Sequence, residues 1–134
     1  MKKVLIFGTI ITLLFTSACS KEKKEEKEPE TNVSEITDSN IIKEQTKHGI
    51  LFKDASIVVV NGITEFRVTL ENTITTVRRI KTLTINFKDS EGILLHTLHS
   101  YDLNSMKKGD TQDLTWSISK DLTDVKQIEY EIEL

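Results

Sequence analysis

The sequence predicts an all-β protein, an antiparallel β-sandwich of six to seven strands that follows a signal peptide and a disordered linker. Two observations predict this fold class. From Gly49 onward, apolar and polar residues alternate with the period of two that is typical of β-strands. Short clusters of Gly, Asn, Asp and Ser separate the alternating runs. Because alternating strands bury one face only, two such sheets are expected to pack face to face.

Residues 1–18 carry the features of a secretory signal. Lys2 and Lys3 give a positive start, residues 4–15 are a short apolar run, and small residues come directly before Cys19. The apolar run is well short of the roughly 20 residues that a membrane-spanning helix needs. Since Cys19 is the only cysteine of the chain and follows the small residues, the segment resembles the lipobox of bacterial lipoproteins.

The lipobox resemblance implies that the signal is removed and that the Cys19 thiol carries a diacylglyceryl group at the new N-terminus. At about 0.8 kcal/mol per buried methylene, two acyl chains hold a protein on a membrane far more firmly than one. We therefore expect the mature protein to be lipid-anchored at the extracytoplasmic face of the cell membrane. The alternative is an ordinary secretory signal with an incidental cysteine.

Residues 19–43 are predicted to form a charged, flexible linker. Residues 20–30 contain four Lys, five Glu and no apolar side chain, so no burial can offset the entropy cost of ordering them. A helix with Glu–Lys pairs four residues apart is the alternative, and Pro29 would end it. For residues 41–48 two predictions remain: a short helix ended by Gly49, or a segment that leads into the first strand.

The predicted domain spans residues 44–134, and its strongest local signal is Asn61-Gly62. This dipeptide lies between two β-rich runs and favours a type I′ turn, whose twist matches the flanking strands. In each later run one alternating set of side chains is apolar and is expected to face inward. These sets are Phe66, Val68 and Leu70; Leu83, Ile85 and Phe87; Leu114, Trp116 and Ile118; and Ile128, Tyr130, Ile132 and Leu134. With no second Cys for a disulfide, this core must hold the domain together.

Turn and strand-end motifs of this domain resemble those of a known family. The run after Gly62 ends in Asn72, an Asp-x-x-Gly turn lies at residues 89–92, a Lys-Gly-Asp turn lies at residues 108–110, and the last strand contains Tyr130. The domain is similar in these motifs to the immunoglobulin-like domain of small Gram-positive lipoproteins of the FxLYD type. The resemblance implies an immunoglobulin-like β-sandwich at the cell surface. It implies no enzymatic activity or ligand, because none is established for the family.

Composition and motifs argue against nucleic-acid binding and against catalysis. The net charge of −3 does not fit a surface that binds a phosphate backbone, which needs clustered Lys and Arg. No serine lies in a Gly-x-Ser-x-Gly motif. His96 and His99 are three residues apart on a predicted strand, so they face opposite sides of the sheet and are not expected to share a metal ion. We expect no enzymatic activity, no metal and no cofactor.

Arg78, Arg79 and Lys81 form the compact basic cluster of the domain and are the candidate binding patch. One interpretation is that they pair with acidic residues of the neighbouring strand. The other is that they contact an anionic partner, such as a wall polymer or a lipid headgroup. Among the aromatic residues, Trp116 is expected to fill the core, whereas the role of Tyr101 stays open.

Together these features predict a membrane-anchored extracytoplasmic lipoprotein whose sandwich is a binding or accessory module. Its expected partners are the membrane, through the lipid on Cys19, and an unknown envelope protein or polymer. The alternative is a lipoprotein that captures a small molecule or an ion. A large apolar cavity would favour the alternative, and a closed core with exposed loops and edges would favour the binding module.

Overall fold

The computed structural model describes residues 31–134, which form eight antiparallel strands in two sheets and no helix. The strands are β1 (Val33–Ile36), β2 (Gln45–Lys47), β3 (Ile50–Val60), β4 (Ile63–Asn72), β5 (Thr82–Lys88), β6 (Leu94–Tyr101), β7 (Thr111–Ile118) and β8 (Gln127–Glu133). The first sheet has the order β1-β3-β4-β7, with β2 also paired to β3, and the second has the order β6-β5-β8. The predicted antiparallel all-β sandwich is confirmed, with eight strands in place of six to seven.

The core lies between β4 of the first sheet and β5 of the second. Their inward side chains are fully buried, as the alternation predicts: Phe66, Val68, Leu70, Leu83, Ile85 and Phe87. Phe66 meets Phe87 edge to face across the sheets, with ring centroids 5.0 Å apart. Phe52 stacks on Tyr130 at 4.2 Å, and Trp116 stacks on Phe66 at 5.7 Å. Since burying one such side chain contributes about 1.5–3 kcal/mol, these rings are a main source of stability.

Two hairpins use the same type I′ turn. Asn61 and Gly62 have φ of 50° and 79° between β3 and β4, which confirms the predicted turn. His48 and Gly49 have φ of 50° and 82° between β2 and β3. The helix considered for residues 41–48 is therefore wrong, and this segment leads into β3 through the short strand β2. A glycine with positive φ fits a helix end and a hairpin turn equally well, so the sequence did not separate them.

The first strand lies inside residues 19–43, which the sequence predicts to be linker. Strand β1 pairs with the end of β3, with Val33 opposite Val60. At the same edge the Asn61 amide donates to the Asn32 carbonyl at 2.9 Å, and the Asn32 amide donates to Asn61 Oδ1 at 3.1 Å. Most β1 side chains are exposed, because main-chain pairing holds this strand and needs no apolar pattern. The folded part thus begins before the expected residue 44.

A β-bulge in β3 keeps both halves of that long strand facing the core. The pairing with β4 shifts by one residue between Lys53 and Ser56, and Asp54 has φ of 53°. Before the bulge the even-numbered Phe52 points inward, and after it the odd-numbered Ile57 does. Because a one-residue shift reverses the faces of a strand, a regular β3 would turn one half of its apolar residues to water.

Asn72, at the end of β4, joins the loops at one end of the sandwich. Its side chain is fully buried. Its Nδ2 donates to the carbonyls of Thr76 at 2.8 Å and Met106 at 2.9 Å, and its Oδ1 accepts from the Ile74 amide at 3.1 Å. The Asn72 main chain bonds to the turn at Gly109 as well. All these groups are satisfied, so burial of the amide carries no penalty for a missing hydrogen bond.

Thr64 has the corresponding role at the start of β4. It is also fully buried. Its Oγ1 donates to the Lys120 carbonyl at 2.6 Å and accepts from the Leu122 amide at 3.1 Å. One hydroxyl therefore fixes the connection between β7 and β8, in which Leu122 and Val125 are buried apolar residues.

The variant Gly49→Ala tests the close approach at the β2–β3 turn. A Cβ at Gly49 would lie 2.7 Å from Cδ1 of Ile74, so the Ile74 side chain must move. Gly62→Ala is the matched control, because Gly62 has a similar φ and no atom within 4 Å of the same position. Both variants carry the left-handed cost of about 1–2 kcal/mol, and we expect Gly49→Ala to lose about 1–3 kcal/mol more. Urea unfolding measures the difference, and equal losses would contradict it.

The variant Asn72→Asp tests the amide donors. A carboxylate there would face the carbonyls of Thr76 and Met106, so we expect a loss of about 3 kcal/mol at pH 7. Burial raises the pKa of such a carboxyl, so the loss should shrink near pH 4, where the protonated form donates one bond. The control is Asn86→Asp, because Asn86 Oδ1 only accepts a hydrogen bond from Thr97. Urea unfolding at both pH values decides, and a pH-independent loss no larger than that of the control would refute the role of Asn72.

Candidate functional site

We compare three surface clefts of residues 31–134, which are open to solvent and have mainly polar linings. Their volumes are about 390, 360 and 230 Å³. The largest lies where β2 of the first sheet meets β8 of the second, and we call it the lysine cleft. Lysines, amides, one carboxylate and two isoleucines line it: Asn40, Ile41, Lys43, Gln45, Lys47, Lys126, Gln127, Ile128 and Glu129.

The lysine cleft is held open by contacts between the two sheets. Gln45 Nε2 donates to the Ile128 carbonyl at 2.7 Å, which ties β2 to β8. The Lys126 amide donates to the Lys88 carbonyl at 2.9 Å and fixes the chain where β8 begins. Ile41 is buried in the core next to the cleft. The main chain around the cleft is therefore set by the fold, and the lysine side chains extend from it.

The lysine cleft carries an excess of positive charge. No carboxylate of residues 31–134 lies within the 4.0 Å ion-pair distance of Lys43, Lys47 or Lys126. The one carboxylate of the lining, Glu129, pairs with Lys88 outside the cleft. The hydrogen bond from Lys88 holds the pKa of Glu129 below its ordinary value, and the charge of Lys47 lowers it further. Lys43 and Lys126 are thus exposed with no ion-pair partner among residues 31–134, whereas the half-buried Lys47 interacts with Glu129 over a longer distance.

The three residues of the predicted basic cluster differ in exposure and in contacts. Arg78 is half-buried, and its main chain bonds to that of Met106 in both directions. Arg79 is exposed, and its guanidinium lies 3.8 Å from the Asp102 carboxylate. Lys81 is exposed beside the last strand. The acidic contact of Arg79 comes from the loop after β6 rather than from a paired strand. None of the three clefts is lined by these basic side chains.

The two histidines of β6 lie on opposite faces of the second sheet, as predicted. His96 packs against Phe87 with ring centroids 6.4 Å apart, and burial, with a smaller effect of Lys120, lowers its pKa. His99 stacks on the exposed Tyr101 at 6.2 Å. Residues 31–134 contain no group of three or more His, Cys, Asp or Glu placed to hold a metal ion.

The two smaller clefts lie on the outer faces of the sheets. The cleft of about 360 Å³ crosses β3, β4 and β7, where Thr69 donates to Asp113 at 2.7 Å and Arg67 pairs with Glu65. Arg67 and Asp113 of this cleft therefore already have partners within the sheet. The cleft of about 230 Å³ lies between β5 and β8 and is lined by threonine and glutamate side chains.

Sequence reasoning did not find the lysine cleft. Its lysines lie before β2, at the end of β2 and directly before β8, and Gln45 lies 83 residues before its partner Ile128. No local motif connects such distant positions. The only signal was the short polar segment 43–47, which the sequence left open between helix and strand.

Two predictions lie outside the described residues: the signal at residues 1–18 with the lipid site Cys19, and the charged segment 20–30. In the part of the chain from residue 31 onward, no helix has the length and apolar character needed to cross a membrane. Comparison with protein-family models, curated proteins and solved structures found no match to this chain. No residue role is therefore carried over from another protein.

The variant Glu129→Gln tests the ion pair beside the cleft. The pKa of Glu129 in the folded protein is lower than its ordinary value of 4.5. The charge of Glu129 therefore stabilises the fold above pH 4.5, and this stabilisation is lost as the pH falls through the folded-state pKa. We expect a loss below about 1 kcal/mol at pH 7, since the pair is partly exposed. The loss should disappear by about pH 2. Urea unfolding at both pH values is the measurement, with Glu131→Gln on the same strand as control, and a loss that persists in acid would contradict the pair's role.

Proposed function

We propose that this chain is an extracytoplasmic lipoprotein, anchored through acyl chains on Cys19, and that its β-sandwich is a binding module for an envelope component. The location is supported by the positive start, the short apolar run and the single cysteine after small residues. The observation that carries the binding role is the filled interior. Aromatic and aliphatic side chains close the core, and the clefts lie outside it.

The filled core favours a surface-binding module over capture of an apolar molecule. Ligand cavities for apolar molecules are lined mainly by hydrophobic side chains. Here Phe52 and Tyr130 stack in the interior of the sandwich, and Phe66 and Phe87 fill the space beside them. The three clefts are instead shallow and polar. A partner that binds this domain is therefore expected to contact loops, edges or polar clefts.

The strand order supports an immunoglobulin-like classification of the sandwich. If β3 to β8 correspond to strands A, B, C, C′, E and F, the two sheets read A-B-E and C′-C-F. The pairings B–E and C–F are those of the immunoglobulin fold. Strand G, which would pair with F, has no counterpart among the described residues, and β2 lies beside that edge of β8 instead. This arrangement agrees with the family resemblance of the turn motifs.

The variant Cys19→Ala tests the anchor. We expect the wild-type chain to incorporate labelled palmitate and to sediment with membranes, because two acyl chains bind a bilayer firmly. The variant should lose the label and leave the membrane fraction or keep an uncleaved signal. Ser20→Ala keeps the thiol and should retain both properties. A Cys19→Ala chain that is processed and still sediments with membranes, together with an unlabelled wild type, would overturn the proposed function.

A further inference from the structure

We propose that the lysine cleft is an anion site for the phosphate group of an envelope ester, carried either by a free phosphate ester or by a lipid headgroup. This inference rests on the proposed function, because it names the chemical class of partner for the binding module. The site is formed by Lys43, Lys47 and Lys126 across the seam between the two sheets.

The charge distribution selects an anion. The protein is acidic overall, with a net charge of −3, yet the three cleft lysines have no carboxylate partner within residues 31–134. Glu129 offsets only part of the charge of the three lysines, because it is one carboxylate and it also pairs with Lys88. Like charges gathered on one surface repel each other, and a bound anion would relieve that repulsion.

The donor set fits phosphate. A lysine ammonium is a compact charge with three donors on a flexible stem, which suits the several oxygens of a phosphate group. The amides of Asn40 and Gln127 can donate to or accept from hydroxyls of an attached alcohol. A cleft of about 390 Å³ is at the lower end of the range of known small-molecule sites. A small phosphate ester is therefore a better match than a bulky polymer unit.

The main chain around the lysine cleft is already fixed by the fold before any ligand binds. The Gln45–Ile128 hydrogen bond and the His48-Gly49 turn hold its β2 wall, and the main-chain bond of Lys126 holds its β8 wall. A ligand therefore needs to order side chains and not the main chain, which limits the entropy cost of binding. The basic cluster lacks this arrangement, because Arg79 faces Asp102 and no described cleft is lined by its side chain.

Binding is tested by backbone-amide NMR of the full-length chain in neutral detergent micelles. One arm adds glycerol 3-phosphate, and the other replaces part of the detergent by phosphatidylglycerol. We expect saturable shifts of the amides of Gln45, Lys126 and Gln127 in at least one arm, weakened by added salt. A response to glycerol 3-phosphate alone identifies a free ester as the source, and a response to the lipid alone identifies a headgroup.

Charge-reversal variants locate the site. The double variant Lys43→Glu/Lys126→Glu replaces exposed side chains and should weaken binding by about tenfold or more. Two matched double variants reverse the same charge elsewhere: Arg79→Glu/Lys81→Glu in the basic cluster and Lys107→Glu/Lys108→Glu in an exposed turn. Each should weaken binding by no more than about twofold, as expected of distant, screened charges. The milder variant Lys126→Gln should weaken binding with the amide spectrum otherwise unchanged, which separates loss of binding from loss of folding.

The proposal is overturned if neither probe gives saturable shifts, or if the control variants weaken binding as much as the cleft variant. The test does not depend on the lipid anchor, since the probes are added to solubilised protein. An unlabelled Cys19 with a functional cleft would refute the anchor alone, and a labelled Cys19 with an inert cleft would refute the anion site alone.

Discussion

Strand β4 is the element on which the rest of the sandwich depends, because it carries a buried polar residue at each end. Thr64 and Asn72 are the buried polar side chains in the described core, and each hydrogen-bonds to a loop that is distant in the chain. Between them, Phe66, Val68 and Leu70 pack against the opposite sheet. Apolar contacts thus hold the middle of the domain together. At both ends of the domain, hydrogen bonds to β4 fix the loops in place.

The strands that bury a regular apolar face were predictable, whereas the short strands β1 and β2 were not. The alternation around Phe66 and Ile85 identified β4 and β5, and Asn61-Gly62 identified the turn between β3 and β4. Strand β1 was missed because it is held by main-chain pairing at an exposed edge. The bulge at Lys53–Ser56 was missed because no residue pattern distinguishes an inserted residue from a change of face.

The candidate site could likewise not be predicted from local sequence patterns. The basic cluster around Arg79 was visible because its residues are neighbours in the chain, but none of the three clefts is lined by its side chains. The lysine cleft brings together Lys43 and Lys126, which only the sandwich topology places side by side. A charged cluster formed by neighbouring residues can be predicted from the sequence. A charged cluster formed by residues of two sheets depends on strand register and on the packing of the sheets, and no single segment of the sequence specifies either.

The pairing of Asn32 with Asn61 also fixes the place where the chain enters the sandwich. The chain enters the sandwich at the hairpin end of β3 and β4, whereas the loops joined by Asn72 lie at the far end of β4. At about 3.3 Å per residue, the ten residues of β4 separate these two ends by about 30 Å. Any force transmitted along the chain from before Asn32 would therefore reach the sandwich first at the Asn61-Gly62 hairpin. The loops around Arg79 lie at the opposite end of the sheet from this junction.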